Sequence, residues 1–154
     1  MAKKKPVKKT IGRRELVDFP DLDLWEVEAK VDTGAYTSAL HCSNIHEETQ
    51  NGQTLISVEF LDPTHPAYNH RKLSFSQFEV RDIRSSFGDV QERYVIRTRI
   101  RLFGKDLEAD FSLSDRSDLR YPVLIGRTLL QGNFVVDVSR KNISHRKKQK
   151  QKPS

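Results

Sequence analysis

The sequence predicts an all-β chain that folds as a small closed barrel with one short helix. Apolar and polar residues alternate over many short segments, as they do in half-buried strands. Gly, Pro, Asn and Asp separate these segments at the places where turns are expected. Only residues 128–131, which precede Gly132, fit a helical turn. Closing the sheet on itself then pairs the edges that so many short strands create.

The predicted strands are joined by short connections. The first covers residues 11–19, and the second covers residues 24–32 with regular alternation. The pair Asn51-Gly52 predicts a tight hairpin. The apolar run at 123–125 is typical of a strand that is buried on both faces. The other predicted strands cover residues 38–42, 45–49, 55–60, 73–75, 78–83, 90–102, 107–113 and 134–138.

The longest predicted strand, residues 90–102, has four arginines on one face, at positions 93, 97, 99 and 101. Neighbouring like charges repel each other, so opposing acids are expected. We predict a cross-strand ladder with the acids of the return strand, which are Asp106, Glu108 and Asp110. The alternative is a binding site for an acidic substrate.

Charge divides the chain into three parts. Residues 1–10 hold five lysines and no acid, and residues 140–154 hold seven Lys or Arg and no acid. Subtracting these twelve from 27 leaves 15 basic residues against all 21 acids, so the central part carries about −6 although the whole chain carries +6. We predict basic disordered tails at 1–10 and 141–154 around one domain at 11–140. The tails serve either solubility or contact with RNA, the ribosome or an acidic protein.

The sequence favours a cytoplasmic protein without membrane contact. Cys42 is the only cysteine, which excludes an internal disulfide and suits a reducing compartment. No apolar run follows the first lysines, so a signal peptide is not indicated. No stretch approaches the length of a membrane span.

The candidate functional site is the segment Val31-Asp32-Thr33-Gly34-Ala35. The predicted strand ends at Asp32, and Gly34 permits a sharp turn that leaves the carboxylate at the strand end. An acid held at such a place is a candidate for catalysis. The alternative is an ordinary Asp-Thr-Gly turn with no chemical role.

This segment resembles the active-site loop of the retropepsin-like aspartic peptidases, in which Asp-Thr/Ser-Gly and then Ala or Ser follow a hydrophobic residue. Residues 121–130 are similar to the second signature of that family, where a hydrophobic run precedes Gly126-Arg127 and a short helix. The resemblance spans roughly residues 15–138. Within the family, the chain most resembles a bacterial group labelled ATP-dependent zinc proteases, which is associated with RimK-type glutamate ligases.

The resemblance implies an aspartic-type endopeptidase that needs no cofactor. Its mechanism requires two carboxylates that share a proton, and the chain has one copy of the motif, so the second carboxylate is expected from a homodimer partner. The implied catalytic residues are Asp32, Thr33 and Gly34. Substrate contacts are implied for Ala35 and, at a hairpin tip in the place of the flap, for Phe87 and Gly88. The residues expected to support the loop are Ile125, Gly126 and Arg127.

One position departs from the resemblance. Many retroviral relatives have an Asp where this chain has Tyr36, and that Asp pairs with the Arg of the second signature. Arg127 is therefore expected either to find another partner or to face solvent, and the dimer contacts are expected to differ from the retroviral ones.

A zinc-dependent peptidase and a binding module are the two alternatives to the aspartic peptidase. A zinc site would draw on His41, Cys42, His46, His65 and His70. No His-Glu-x-x-His helix and no nucleotide-binding Gly-Lys-Ser/Thr loop occurs, so we predict no metal site. The main alternative is a binding module on the same fold. In either case we expect a protein or peptide substrate or partner, acidic or glutamate-modified, and this expectation follows from the resemblance.

Overall fold

Residues 7–85, 87–116 and 118–151 are described by a computed structural model, and strands dominate this part of the chain. A 3-10 turn at Pro20–Leu22 and two α-helices, α1 (Arg127–Leu130) and α2 (Ile143–Gln151), accompany the strands. The strands are β1 (Lys9–Ile11), β2 (Arg14–Phe19), β3 (Leu24–Val31), β4 (Ser38–Gln50), β5 (Gln53–Phe60), β6 (Lys72–Phe75), β7 (Glu79–Arg84), β8 (Val90–Leu102), β9 (Lys105–Ser114), β10 (Val123–Ile125) and β11 (Phe134–Val136).

Six strands close into a ring in the order β10-β3-β2-β8-β9-β4. The short strand β10 completes the ring because it pairs in parallel with β3 and antiparallel with β4. Strands β5 and β6 extend the sheet from β4, and β7 pairs with β8. The predicted all-β class, the ring of strands and the short helix near residue 128 are confirmed.

The core lies inside this ring and is built from the inward-facing residues of the alternating strands. Along β3 every second or third residue is buried, which is the periodicity expected of a strand with one solvent face. Phe19 of β2 and Phe111 of β9 meet edge to face with ring centroids 5.3 Å apart. Such a pair adds about 0.5–1.5 kcal/mol to the contribution of buried area alone.

Three of the four arginines on one face of β8 meet acids, as predicted, while Arg93 donates to the Gln91 side chain. Arg97, Arg99 and Arg101 lie opposite Asp110, Glu108 and Asp106 in the β8–β9 register. The Arg101 Nε donates to Asp106 at 2.7 Å, and an Arg97 amino group donates to Asp110 at 3.2 Å. Arg99 turns instead to Asp21 in the 3-10 turn. This ladder accounts for these three arginines without an acidic substrate.

Several strand bounds differ from the prediction. The predicted strand 11–19 is two strands, because the chain bends at Gly12, where a Cβ would lie 2.6 Å from the Arg140 carbonyl oxygen. The segments predicted at 38–42 and 45–49 form one strand, β4, with an irregularity between Cys42 and Asn44. The predicted hairpin at Asn51-Gly52 is present, with φ angles of 51° and 77°.

The predicted disordered tails need correction. β1 begins at Lys9 and pairs with β11, so the N-terminal part of the domain starts earlier than residue 11, while residues 1–6 lie outside the described part. Residues 143–151 form α2, where disorder was expected. The buried Glu15 carboxylate holds both the Gly12 and the Ser144 backbone N–H groups, at 2.7 and 3.0 Å. Tertiary anchoring of this kind compensates for the low hydrophobicity of the segment.

The described helices are short. Neither α1 nor α2 is long and apolar enough to cross a membrane, and the same holds for the 3-10 turn.

Candidate active site

Asp32 lies where β3 ends, beside the strand that closes the ring. Its backbone N–H donates to the Ile125 carbonyl of β10 at 2.9 Å, which continues the parallel β3–β10 pairing by one residue. The chain then turns, with the Ala35 N–H donating to the Asp32 carbonyl at 3.2 Å. The Gly34 N–H donates to Asp32 Oδ1 at 3.0 Å. The carboxylate is therefore held at a strand end and remains partly open to solvent.

The second signature, residues 121–130, holds this loop in place through backbone hydrogen bonds. The Arg127 N–H donates to the Ala35 carbonyl at 2.8 Å, and the Thr128 N–H donates to the Tyr36 carbonyl at 3.0 Å. Gly126 is packed so closely that a Cβ there would lie 2.9 Å from the Thr37 carbonyl carbon. The first turn of α1 thus supplies its free N–H groups to the loop carbonyls. Ile125, Gly126 and Arg127 all lie against the Asp32 loop, where they were expected.

Arg127 contacts a backbone carbonyl and an aromatic ring, because position 36 is Tyr and not Asp. One of its guanidinium N–H groups donates to the Thr33 carbonyl at 3.0 Å, and the guanidinium carbon lies 5.6 Å from the centre of the Tyr36 ring. A cation–π contact and a carbonyl therefore replace an ion pair at this position. Tyr36 itself is 63% exposed, so the loop presents an aromatic side chain to its surroundings.

The predicted flap residues lie at the tip of the β7–β8 hairpin. Phe87 is 94% exposed, and Gly88 has a φ of 90° and donates its N–H to the Ser85 carbonyl at 3.0 Å. The hydrogen bonds described for this tip stay within residues 85–89. The structure therefore places Phe87 and Gly88 on an open hairpin and does not bring them into contact with the Asp32 loop within the described residues.

Two residues of the site escaped sequence reasoning. Ser38 is buried, and its Oγ accepts the Gly126 N–H at 2.9 Å, which ties β4 to the second signature. Arg116 lies in the loop before β10, and its Nε donates to the Tyr121 carbonyl at 3.2 Å. Burial lowers the pKa of the Arg116 guanidinium, Arg93 lowers it further, and the charge of Asp32 opposes both. A cation therefore stands within electrostatic reach of the candidate carboxylate.

Comparison with known families agrees with this geometry. The family model described as "RimB-like: Retropepsin-like aspartic endopeptidase RimB" matches residues 10–147, which is most of the chain. The chain belongs to the RimB-like family. The resemblance seen in the two sequence signatures is thereby confirmed.

The RimB-like chain is also similar to part of several curated bacterial proteins. It is 35% identical over 133 residues to a protein named "Probable alpha-L-glutamate ligase" from Shewanella halifaxensis (strain HAW-EB4), a match that covers 84% of this chain and 28% of the ligase. A protein of the same name from Desulfotalea psychrophila (strain LSv54 / DSM 12343) is 33% identical over 134 residues, again 84% of this chain and 28% of the relative. The chain thus spans little more than a quarter of the length of these relatives.

A crystal structure with the same fold is known. The protein, of unknown function (DUF785), comes from Legionella pneumophila subsp. pneumophila str. Philadelphia 1 and is 25% identical to this chain. The TM-score is 0.65, and the match covers 90% of this chain and 99% of the Legionella chain.

His41 of β4 takes part in a hydrogen-bond network. The His41 side chain is almost fully buried, and its Nδ1 accepts the Arg116 backbone N–H at 2.8 Å. Because an accepting nitrogen carries no proton, Nε2 carries it and donates to Asp62 Oδ2 at 2.8 Å. The hydroxyl of Thr64 and then His41 lower the pKa of Asp62. His41 thus orients the Arg116 loop and has no ring nitrogen free for a metal.

The other residues considered for zinc have separate surroundings. Burial raises the pKa of the Cys42 thiol to about 12, so this side chain is not a thiolate at neutral pH. His46 pairs with Glu48 at 2.7 Å, and His65 Nδ1 accepts the Ala67 N–H at 3.1 Å. His70 packs against the Tyr68 ring. Within the described residues, no three His, Cys, Asp or Glu side chains converge on a point that could hold a metal ion.

Proposed function

We propose that the chain is an aspartic-type endopeptidase that is active as a homodimer, with one Asp32 from each copy. The observation that carries the proposal is the position of Asp32 at the closure of the ring, held by Ile125 and Gly34. Asp32 is also the only acid between Val31 and Ser38. A mechanism that needs two carboxylates therefore needs a second copy of this loop.

The proposed reaction is the addition of water to a peptide carbonyl. One Asp32 takes a proton from the water as its oxygen bonds to the carbonyl carbon, and the protonated Asp32 of the other copy gives its proton to the carbonyl oxygen. The resulting diol collapses when a proton passes to the amide nitrogen and the C–N bond breaks. The Gly34 N–H donates to Oδ1, and this hydrogen bond fixes the orientation of the carboxylate.

The exposed parts of the loop support a twofold contact. Thr33 is exposed, and its hydroxyl stands next to the carboxylate in sequence, where it can reach the corresponding loop of a second copy. Tyr36 is exposed and lies against Arg127, so a rigid aromatic surface is available beside the proposed axis. Exposed aromatic and arginine side chains are the residue types that contribute most to protein interfaces.

We further propose that the substrate is acidic or glutamate-modified protein. The curated relatives that contain a similar segment are named as glutamate ligases, which join a glutamate to another molecule. A peptidase related to part of such proteins would be suited to hydrolyse the bond that the ligase forms. The Arg116 guanidinium, whose pKa burial lowers and the charge of Asp32 raises, can attract an acidic side chain of the substrate.

The experiment compares the wild-type protein with Asp32→Asn on a peptide library that includes glutamate-rich members, from about pH 4 to about pH 8. The amide of Asp32→Asn cannot act as a base, so cleavage should be lost while the size and the circular dichroism spectrum stay unchanged. Total activity should fall faster than in proportion to protein concentration on dilution, because the active species is the dimer. A chelator should have no effect.

Three outcomes would contradict the proposal. Cleavage that survives Asp32→Asn would remove the aspartic mechanism, and cleavage that a chelator abolishes would restore the zinc interpretation. A stable dimer that cleaves nothing at any pH would favour the binding module. Asp82→Asn, which removes one charge from the exposed face of β7, serves as the matched control and should cleave as the wild type does.

A further inference from the structure

A cavity lies away from the Asp32 loop. It is bounded by α2, strands β2 and β3, and the turn that follows β8. Its volume is about 220 Å³. We call it the α2 cavity and define it by six lining residues, which are Lys9, Trp25, Arg101, Phe103, Lys147 and Lys148. Two acids, Asp18 and Glu26, also line it. No step of the proposed peptidase reaction uses any of these residues.

The backbone under the cavity is distorted in a way that exposes an aromatic ring. Glu26 has a φ of 53°, which is rare for a residue other than glycine, and Asp18 Oδ1 accepts its N–H at 2.7 Å. The β2–β3 pairing shifts register at this point. The neighbouring Trp25 is 46% exposed, and its Nε1 donates to Asp23 at 2.7 Å, which holds the indole in place. Irregular strand positions of this kind commonly direct a side chain at a ligand.

Cations lie against two aromatic rings of the cavity, Phe103 and Trp25. The ammonium groups of Lys9 and Lys147 lie 5.4 and 5.3 Å from the centre of the Phe103 ring, and the Arg101 guanidinium lies 6.0 Å from that of Trp25. The lysine Lys148 lies 4.0 Å from Asp18. The cavity therefore has four Lys or Arg against two carboxylates. The exposed Arg146 and Lys150 extend the positive surface along α2.

The geometry points to a site for single-stranded RNA: one base on the exposed face of Trp25 and the adjoining phosphates on Lys9, Lys147 and Lys148. Stacking on an aromatic ring within a positive groove is the usual means of holding unpaired nucleotides. The Glu26 carboxylate can accept a hydrogen bond from the exocyclic amino group of the stacked base. An acidic polypeptide fits the cavity less well, because it would leave the exposed indole of Trp25 without a stacking partner.

The experiment uses the full chain and a fluorescein-labelled, mixed-sequence RNA of about ten nucleotides, with anisotropy recorded at several salt concentrations. Trp25 is the only tryptophan, so its own fluorescence reports contact with a base and should be quenched. Trp25→Ala should weaken binding by about fivefold or more, and Trp25→Phe should retain most of the affinity. Lys147→Ala with Lys148→Ala should reduce the slope of log affinity against log salt by about 1.4.

A matched variant distinguishes binding at the α2 cavity from a general effect of the positive charge of the chain. Lys72→Ala with Arg84→Ala removes the same charge from exposed positions on β6 and β7, and should change the affinity by less than about twofold. The proposal is overturned if both pairs weaken binding equally, or if RNA binds without quenching Trp25. It is also overturned if a polyglutamate peptide displaces the RNA and quenches Trp25 equally well. If Trp25→Ala fails to fold, Trp25→Phe and the two charge-removing pairs still decide the matter.

Discussion

The contact between Tyr36 and Arg127 shows how one residue changes the chemistry of a loop without changing its shape. A carboxylate at position 36 would hold the guanidinium by charge, whereas Tyr36 holds it by the face of its ring. Arg127 keeps its hydrogen bond to the Thr33 carbonyl, so the loop is still tied to α1. The consequence is that this tie depends on an aromatic ring and not on ionisation of a neighbouring acid.

Tyr36→Ala should therefore loosen the loop, and Tyr36→Phe should not. Loss of a cation–π contact at an exposed site costs about 0.5–1 kcal/mol of the free energy of unfolding. Peptidase activity, if the proposed function holds, should fall more than stability does, because the loop carries Asp32. Urea unfolding and activity assays on both variants test this. Equal effects of Ala and Phe would show that the ring face is unimportant and that the hydroxyl matters.

The thiol of Cys42 should be inert in the folded protein. Burial is the main cause that raises its pKa to about 12, from 9.0 when it is free, and the charge of Asp115 adds to the effect. At about pH 8, alkylation should be at least a hundredfold slower than in denaturant, because only the thiolate reacts. Mass spectrometry after timed exposure to iodoacetamide measures both rates. Rapid alkylation without denaturant would contradict the buried position.

The same pKa has a consequence for stability at high pH. Below pH 9 the thiol is protonated in both folded and unfolded chains, so it contributes no pH dependence. Between pH 9 and about 12 only the unfolded chain releases the proton, so the free energy of unfolding falls with rising pH. Cys42→Ala should lessen this alkaline decline when unfolding midpoints are compared. A decline that is identical in the variant would assign it to other groups.

At the scale of elements, patterns within one strand were predictable and contacts between distant segments were not. Alternation located β8 and the apolar run located β10 to the residue, because those patterns follow directly from burial on one or both faces. The helix α2 was missed because its sequence is polar and basic, and its order depends on Glu15, more than a hundred residues earlier. No local signal announces such a partner.

The residues of the candidate site also fall into those that the sequence reveals and those that it does not. Asp32 and Gly126 could be found because each belongs to a short motif with its own pattern of residue types. Ser38, Arg116 and the His41–Asp62 pair could not, since their roles arise only when β4 and the loop before β10 are brought together. For these residues the informative property is the partner, and the partner is set by the fold.

Glu15→Ala should destabilise the junction between β2 and α2. The substitution leaves the buried N–H groups of Gly12 and Ser144 without their acceptor, at a cost of about 1–3 kcal/mol each in the free energy of unfolding. Glu15→Gln, which keeps one accepting oxygen, should cost roughly half as much. Urea denaturation and hydrogen exchange of the α2 amides provide the measurements.

Removal of residues 141–154 supplies the control for that prediction. In the shortened chain the Ser144 N–H is absent, so Glu15→Ala should cost less than in the full chain. The difference between the two backgrounds is the contribution of the contact with α2. An equal cost in both would mean that Glu15 stabilises only the bend at Gly12.

At the scale of the whole molecule, the proposed dimer should be limited by the cost of bringing its two Asp32 side chains together, which is either charge repulsion or the uptake of the shared proton. Two carboxylates about 4 Å apart repel by about 4 kcal/mol when the effective dielectric constant is near 20. Asp32→Asn removes this term and should tighten the dimer by at least several-fold at neutral pH. Sedimentation velocity across a dilution series measures the dissociation constants. Asp82→Asn on the exposed face of β7 is the control, and a similar tightening there would assign the effect to net charge.

The pairing of β10 with β3 is expected to form late, after most of the chain has been synthesised. Asp32 is synthesised early, but the Ile125 carbonyl that anchors it is made more than ninety residues later, and pairing over such distances forms late in folding. A growing chain that has not reached residue 125 carries the acid without its support, and two such chains cannot align their loops. For a peptidase, this delay acts as a safeguard. If the proposed function holds, unfinished copies of the chain, and other chains that emerge nearby, are not exposed to cleavage before the ring has closed.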